Sequence, residues 1–444
     1  MQLLKKPIHP AVVMILFWTS IISIYFFGPI RLTPGMSVVG GLFLCTHILL
    51  FITGSAIALI LSYKNAPHRA LIVDDQHAMQ QLISIFLLIS VLGGLFSILG
   101  RIADLDEINL MAISKLRTLK AQSLLHGGEA SSSILSMLAF FMYPAGFIAL
   151  VAAILQYEEI SNLARLLVYI FIGIMFCVAI LAGGRSPILL LILFVSIACY
   201  TRTVLGKSWM PHSRVLRWGS VGLLLAFVAY SSIIWSVRSN ESGKSTEQYL
   251  QHAANVWGAA PRPYLLAASN WLNHPNLTFS VLGPVFYLTQ SISVTEKILA
   301  TAEDIPHVLG GYHIDLMAAV LRRIPESALL LKDNYEILLN TSIYGYFTGA
   351  WGALFIDFGY FSLLAAMIWG FLAGLSWVKL KNNPTLLTSV FYVFWIYSIM
   401  ISFASPPFGF SNSLMVFVWF VLFYLVSKLR SVFLPCNTVH PVLK

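Results

Sequence analysis

A single arginine stands between two long apolar runs of the chain, in the stretch FIGIMFCVAILAGGRSPILLLILFVSIACY. The guanidinium of Arg185 stays protonated, so holding it at membrane depth is costly unless it is paired or faces water. Gly183 and Gly184 leave room beside it for a bulky anion, and Pro187 suits the first turn of a following helix. These residues predict an anion-binding site at a membrane boundary. The alternative is an arginine at a helix end that extends to phospholipid headgroups.

A second group of ionisable side chains lies in TAEDIPHVLGGYHIDLMAAVLRRIPES, residues 301–327. It contains Glu303, Asp304, His307, His313, Asp315, Arg322 and Arg323. Such a mixture is able to bind a polyanion and to transfer protons. The two histidines are six residues apart without the acidic residue of a zinc-protease helix, so no metal site is predicted. The alternative is that each histidine is a hydrogen-bonded structural residue. The two adjacent arginines point to different sides of a helix, so only one of them faces a shared site.

Asp357 is the second charge that the pattern places near the bilayer, in YGYFTGAWGALFIDFGYFSLLAAMIWGFLAGL. The preceding Gly345, Gly349 and Gly352 have a spacing that allows two helices to approach closely. An intramembrane carboxylate either pairs with an arginine at a functional site or keeps its helix in register. The sequence leaves both interpretations open.

The composition is that of an integral membrane protein. Of the 444 residues, 58% are hydrophobic and only 10% are charged, and the mean hydropathy is +0.82. Soluble domains carry about 25% charged residues. The apolar content is too continuous for the alternating strands of a barrel, so the sequence predicts an all-α polytopic membrane protein.

About ten runs are long enough to cross a hydrocarbon core about 30 Å thick. The predicted spans are 11–30, 36–62, 82–100, 133–156, 165–183, 186–201, 218–237, 348–378, 385–403 and 412–428. They divide the chain into residues 1–237 with seven spans, a large external loop of short helices at 238–347, and residues 348–444 with three spans and a cytoplasmic tail. The first span is long and lacks a small-residue cleavage site, so it is predicted to remain as an anchor.

Basic residues in short loops mark the cytoplasmic side of a membrane. With the N-terminus inside, fourteen basic residues fall on the cytoplasmic side and six on the other. Those six are Arg31, Arg101, Lys115, Arg117, Lys120 and Arg185. Both termini are therefore predicted to be cytoplasmic and Arg185 external. The net charge of +9 reflects this bias and an attraction to anionic lipid, and it does not imply nucleic-acid binding. The four cysteines suggest no disulfide framework or metal motif.

Aromatic and polar residues alternate in the predicted external loop, in NVWGAAPRPYLLAASNWLNHPNLT. The mixture suits the faces and hydroxyls of sugars, although the same residues also favour a membrane interface. The following FSVLGPVFYLTQSIS is apolar but too short to cross the bilayer, which predicts a re-entrant or interfacial element.

Four motifs together resemble the Wzy-type O-antigen polymerases, the enzymes that polymerise oligosaccharide repeat units. They are HPAVVMILFW, the isolated GGRSP between adjacent spans, PHVLGGYHIDL in the large loop, and FTGAWGALFIDFGYF. The resemblance covers most of the chain, but only as short motifs. It implies a multi-pass protein of the bacterial inner membrane that works at the periplasmic face.

The resemblance also implies a reaction. A growing glycan is moved from undecaprenyl pyrophosphate to the non-reducing end of another lipid-linked repeat unit, without a cofactor or metal. The enzyme must stabilise the charge of the leaving pyrophosphate, for which a guanidinium is well suited. The candidate anion ligands are Arg185, Arg238, Arg262, Arg322 and Arg323, with Asp357 as a further binding residue. His313, His307, Asp315 and Glu303 are candidate general bases for the acceptor hydroxyl. A chain-length regulator and membrane lipid are the expected partners.

Two other functions fit the same pattern. A transporter or flippase of lipid-linked oligosaccharide would explain the many spans, but it predicts internal repeats and charged residues near the midplane. The polar residues gather in one predicted loop instead, which favours an enzyme. A lipid-linked glycan ligase shares the leaving group and differs in the acceptor.

Overall fold

The computed structural model describes residues 6–63, 76–105, 133–211, 246–272, 276–343, 347–410 and 412–433, with isolated positions between some of these ranges. In the first part of the chain the helices are α1 (Pro10–Phe27), α2 (Val38–Tyr63), α3 (Gln76–Ala103), α4 (Ile134–Met142), α5 (Ala145–Leu155), α6 (Asn162–Leu181) and α7 (Ser186–Val204). The short strands β1 (Ile30–Leu32) and β2 (Ala259–Pro261) pair antiparallel.

The middle of the chain also forms helices. They are α8 (Thr246–Trp257), α9 (Pro263–Trp271), α10 (Asn276–Ala300), α11 (Asp315–Leu321) and α12 (Pro325–Asn340). The last part contains α13 (Gly349–Phe358), a 3-10 turn (Gly359–Phe361), α14 (Ser362–Asn382), α15 (Leu386–Met400) and α16 (Ser413–Phe433).

Seven helical segments of the described chain are long and apolar enough to cross a membrane. They are Pro10–Phe27, Val38–Ser62, Ala78–Ala103, Ile134–Leu155, Asn162–Leu181, Ser186–Val204 and Gly349–Asn382. The helices α15 and α16 are also apolar, but their apolar stretches are shorter. This confirms the prediction of an all-α, multi-pass membrane protein. The predicted span 218–237 lies largely outside the described residues.

Two of the predicted spans are each broken into two helices. The span predicted at 133–156 is interrupted at Tyr143 and Pro144, because a proline has no main-chain N–H to donate to the preceding turn. The span predicted at 348–378 is interrupted at Gly359, whose φ of 55° and ψ of −134° do not continue a helix. The second break comes two residues after Asp357.

Contacts between helix ends define two faces of the helix bundle. On the terminal face, the main-chain N–H of Ile8 donates to the Tyr200 hydroxyl at 2.9 Å, and the Tyr392 hydroxyl donates to the Ile8 carbonyl at 2.8 Å. The opposite face, here called the loop face, carries the α6–α7 turn and the residues between α15 and α16. The cytoplasmic location of the terminal face stays a prediction.

The helices α2 and α14 run parallel and lie close together. His47 contacts Ser362, and one turn or more farther along both helices Gly370 and Gly374 lie against the main chain of Phe51 and Ser55. A Cβ at Gly370 would overlap the Phe51 carbonyl oxygen, so only glycine permits this approach. Small residues thus fix α14, and with it the position of the preceding Asp357.

The apolar segment FSVLGPVFYLTQSIS is part of a helix longer than predicted. It lies within α10, which has 25 residues and packs against α1, α2 and α13. The hydroxyls of Thr289 and Thr295 donate to carbonyls one turn back at 2.7 Å, so these polar side chains are satisfied within the helix and can be buried. Gly349 and Gly352 of α13 lie against Ser291 and Ile298 of α10, so the predicted close approach occurs at this helix pair.

Candidate active site

Asp357 organises a loop that is distant from it in sequence. Its carboxylate is fully buried at the end of α13. The main-chain N–H groups of Gly310 and Tyr312 each donate to Oδ1 at 2.9 Å, and that of His313 donates to Oδ2 at 3.2 Å. The ring Nδ1 of His313 also contacts Oδ2. Asp357 therefore stabilises the conformation of residues 310–313, and its side chain has no exposed surface.

The loop needs this support because its main chain has unusual dihedral angles. Leu309 has φ 48° and Gly310 has φ 94°, in the left-handed region that non-glycine residues rarely adopt. The N–H of Leu309 donates to the Asp357 carbonyl at 3.0 Å. Two side chains of α12 donate hydrogen bonds to the loop from the other side. Asn334 Nδ2 donates to the Pro306 carbonyl at 2.7 Å, and the Tyr335 hydroxyl donates to the Gly311 carbonyl at 3.2 Å. Strain held by several contacts is characteristic of functional sites.

The contact with Asp357 orients the ring of His313. A carboxylate at Nδ1 keeps the ring proton on that nitrogen and leaves Nε2 as an acceptor. No described residue hydrogen-bonds Nε2. Gly409, between α15 and α16, lies directly against the histidine, since a Cβ there would be 2.7 Å from the His313 carbonyl oxygen and 3.1 Å from the ring Cδ2. The Asp357–His313 pair is therefore on the loop face.

The other predicted bases are placed differently. His307 is exposed, and its Nδ1 lies 3.2 Å from the Ile356 carbonyl, which accepts its proton. Its Nε2 lies where a side chain at Gly359 would be. Glu303 is also exposed, and no contact within the described part of the chain joins it to the Asp357–His313 pair. The geometry therefore ranks His313 above His307 and Glu303.

Asp315 opens α11 beside His313. Its side chain is exposed, yet surrounding protein atoms still raise its pKa, while the positive charge of Arg322 and the neighbouring His313 oppose that rise. Arg322 and Arg323 directly follow α11 and are both exposed. Arg322 is the one whose charge acts on Asp315.

Arg185 lies on the same face in the turn between α6 and α7. Gly183 ends α6 with φ 55°, and Arg185 is the residue before α7. Its guanidinium carbon lies 4.7 Å from the ring centre of Tyr287 on α10, a cation–π contact. The Tyr287 ring packs on Phe347, which in turn packs on Phe410 next to Gly409. Aromatic residues thus connect the surroundings of Arg185 with those of His313.

Arg262 is engaged elsewhere. Its Nη2 donates to the Phe26 carbonyl at 2.6 Å and its Nε to the Ile30 carbonyl at 3.4 Å, so it satisfies the C-terminal end of α1. No described contact brings it to His313. Arg238 lies outside the described residues, as does Gly345.

Tyr143, Arg101 and Asn412 interact with one another or with Asp315, and none of them was selected as a site residue from the sequence. Tyr143, at the break between α4 and α5, interacts electrostatically with both Arg101 and Asp315. Asn412 lies beside Tyr143 and donates from Nδ2 to the Phe140 carbonyl at 2.7 Å. Only Arg101 carried a signal in the sequence, as one of the few basic residues predicted to be external. Tyr143 and Asn412 carried no such signal, because only the tertiary fold brings them close together.

No family model, no curated protein and no solved structure matches the chain. The resemblance to the O-antigen polymerases therefore rests on the motifs alone.

Proposed function

We propose that this protein is a membrane glycosyltransferase of the bacterial inner membrane that polymerises undecaprenyl-pyrophosphate-linked oligosaccharide repeat units. The observation that carries the proposal is the Asp357–His313 pair on the loop face. Two of the motifs that suggested the family, PHVLGGYHIDL and FTGAWGALFIDFGYF, meet at this pair. A buried carboxylate that orients an imidazole is an arrangement for removing a proton from a hydroxyl group.

In the proposed reaction, a hydroxyl oxygen of the acceptor repeat unit attacks C1 of the donor sugar. The hydroxyl proton passes to His313 Nε2. The bond between C1 and the pyrophosphate oxygen breaks, and its electron pair leaves with undecaprenyl pyrophosphate. Asp357 stabilises the imidazolium that forms, without becoming protonated itself.

Arg185 supplies a guanidinium for a lipid pyrophosphate on the same face. Its fork of N–H donors matches phosphate oxygens and its charge is permanent. The Tyr287 ring beneath it fixes the direction in which the guanidinium points. Two lipid-linked substrates react with each other, so a second cationic group is required in addition to Arg185.

The test is chain extension by the purified protein. The protein is placed in detergent micelles with lipid-linked repeat units isolated from cells that lack it, and the products are separated by size. A ladder of extended chains, together with release of undecaprenyl pyrophosphate, is expected. A transporter gives no ladder in micelles, because no compartments are present. A ligase gives none without a lipid A–core acceptor.

The histidines of the loop provide a matched pair of variants. His313→Ala is expected to abolish the ladder, and His307→Ala to retain most of it, because only His313 is oriented by a carboxylate. Equal activity of both variants, with a normal wild-type ladder, would remove His313 as the base.

A further inference from the structure

The packing of α13 against α2 shows how far toward the loop face Asp357 lies. The ring of His47 on α2 lies 5.5 Å from that of Trp351 on α13, and the ring of Phe43 lies 5.6 Å from that of Phe355. The two contacts are four residues apart on both helices, so α2 and α13 run antiparallel and rise together. α13 therefore carries Asp357 toward the loop face in step with α2.

α2 extends farther toward the loop face than Asp357 does. Asp357 comes two residues after Phe355, so the same register places it level with Gly41 of α2. α2 begins three residues beyond Gly41, at Val38, which is roughly 4–5 Å farther along at a rise of about 1.5 Å per residue. The Val38 side chain is 80% exposed. Since α2 is long and apolar enough to cross the membrane, such a side chain at its end is suited to contact lipid.

The thickness of a bilayer agrees with a boundary at Val38. On the terminal face, α14 carries Trp377 with a lysine ammonium 4.9 Å from its ring, a combination that favours a membrane interface. α14 lies parallel to α2, with Gly374 against Ser55. The same register places Trp377 level with Ala58. From Ala58 to Val38 the helix α2 rises roughly 30 Å, and a hydrocarbon core is about 30 Å thick.

Exposed apolar side chains lie near Asp357 at this depth. They belong to Leu309, Tyr360 and Phe361, which are 66%, 81% and 76% exposed. Leu309 lies beside the last turn of α13, since its N–H donates to the Asp357 carbonyl at 3.0 Å. The ring of Tyr360 lies 5.7 Å from that of Phe355 on the same helix. These side chains, here called the Leu309 cluster, are therefore next to the Asp357–His313 pair.

The Leu309 cluster is continuous with a lipid-facing surface. Phe361, Leu364 and Ile368 are all exposed and follow one another three and then four residues apart at the start of α14. Residues at this spacing lie on one face of a helix. α14 belongs to a segment that is apolar enough to cross the membrane, so this face contacts acyl chains. The cluster lies at the loop-face end of that surface.

We propose that the Asp357–His313 pair lies at the boundary between the hydrocarbon core and the headgroups of the bilayer, and that the Leu309 cluster contacts lipid there. The inference goes beyond the proposed function, because the depth of the pair does not depend on the reaction. Lipid phosphates lie at the same boundary. A lipid-linked substrate would thus reach the loop of residues 306–313 from the side, without leaving the bilayer.

The depth is measured by electron paramagnetic resonance of nitroxide labels. The full-length protein, with its four cysteines replaced by alanine, receives one of the substitutions Leu309→Cys, Tyr360→Cys or Phe361→Cys and is placed in phospholipid nanodiscs. Collisions of the label with oxygen, which concentrates in hydrocarbon, are compared with collisions with a water-soluble nickel chelate. Each labelled protein is compared with wild type by thermal midpoint and size-exclusion profile.

Two matched positions calibrate the measurement. Leu364→Cys places the label on the lipid-facing surface of α14. Lys332→Cys places it on α12, where the lysine side chain is exposed and pairs with Glu336 at 3.6 Å. The labels of the Leu309 cluster are expected to shift the ratio of oxygen to nickel collisions away from the Lys332 value and toward the Leu364 value.

Two results would overturn the proposal. If the labels of the cluster collide with the nickel chelate as often as the Lys332 label does, the loop stands in water. If they are shielded from both collision partners, protein covers the cluster and lipid does not. Leu309 decides the test should another labelled variant misfold, because its mostly exposed side chain contributes little packing. Chain extension is not measured, so failure of the proposed polymerase leaves this result intact.

Discussion

Asp357 binds both the main chain and the ring of His313. One carboxylate oxygen accepts the His313 main-chain N–H at 3.2 Å and contacts the ring Nδ1, while the other accepts from Gly310 and Tyr312. Four donors therefore converge on one fully buried carboxylate. The pairing sets the shape of the loop and the tautomer of the imidazole at the same time.

Asp357→Asn separates these two effects. An asparagine keeps one oxygen for the loop N–H groups, but its amide nitrogen donates to His313 Nδ1 and so moves the ring proton to Nε2. We expect chain extension to fall by about 10²-fold or more, the range of general-base catalysis, with only a small loss of thermal stability. Glu303→Gln is the control, since Glu303 is an exposed carboxylate near the same loop. A fully active Asp357→Asn variant would mean that the tautomer of His313 is irrelevant.

Glycine is required at position 359 both by the main-chain conformation and by the limited space around its Cα. Its φ is 55°, and a Cβ there would overlap Nε2 of His307. Gly359→Ala is therefore expected to lower the thermal midpoint of the protein. Gly173→Ala in α6 is the matched control, because nothing lies within 4 Å of its Cβ position and alanine favours a helix.

The double variant Gly359→Ala with His307→Ala tests whether steric overlap or main-chain strain lowers the thermal midpoint. Removing the imidazole relieves the overlap but not the dihedral strain, so we expect partial recovery of the thermal midpoint. Full recovery would show that the left-handed conformation at Gly359 carries no cost.

The ring of Tyr287 lies against the Arg185 guanidinium, with 4.7 Å between the ring centre and the guanidinium carbon. Tyr287→Phe keeps the aromatic face and is expected to leave the KM for the lipid-linked substrate close to that of wild type. Tyr287→Leu removes the cation–π contact, which is worth about 0.5–2 kcal/mol, and is expected to raise KM more than it lowers kcat. A kcat effect without a change in KM would contradict a role in binding.

The helices that the sequence predicts best are those in which apolar content alone decides the outcome. α1, α2, α3, α6 and α7 coincide with predicted spans to within six residues at either end. The breaks at Pro144 and Gly359 carried a local signal, because proline and glycine interrupt helices, but hydropathy averages over such positions.

The candidate site was predictable only in part. Arg185, Asp357 and His313 stood out as polar groups in an apolar sequence, and the structure places all three at the loop face. The pairing of Asp357 with His313 has no sequence signal, since 44 residues separate them and no periodicity relates them. Asn412 and Tyr143 could not be selected either, because an isolated asparagine or tyrosine is ordinary in any chain and only the packing of three helix ends brings them beside Asp315.

On the terminal face, Arg202 and Glu158 form an ion pair whose contribution to stability depends on pH. Arg202 Nη2 lies 2.5 Å from Glu158 Oε1, and the Arg202 side chain is buried while that of Glu158 is partly exposed. Burial acts to raise the pKa of Glu158, but the hydrogen bond and charge of Arg202, with the charge of Lys207, outweigh it and lower the pKa below its ordinary 4.5. Because its pKa is lower in the folded state, the Glu158 carboxylate stabilises the fold at pH values above 4.5. This stabilisation is lost as the pH falls through the pKa of the folded state.

Glu158→Gln is therefore expected to lower the thermal midpoint at neutral pH, because the buried guanidinium of Arg202 loses its only carboxylate partner among the described ion pairs. The difference from wild type should shrink as the pH falls below 4.5, where Glu158 itself becomes protonated. Glu336→Gln is the control, since Glu336 pairs with Lys332 on an exposed helix surface at 3.6 Å and such pairs contribute about 0.3–0.5 kcal/mol. Thermal midpoints of the three proteins, measured in detergent across this pH range, check the expectation. If the thermal midpoint of Glu158→Gln stays below that of wild type by the same amount at the lowest pH measured, the substitution removes packing and not the charge of Glu158.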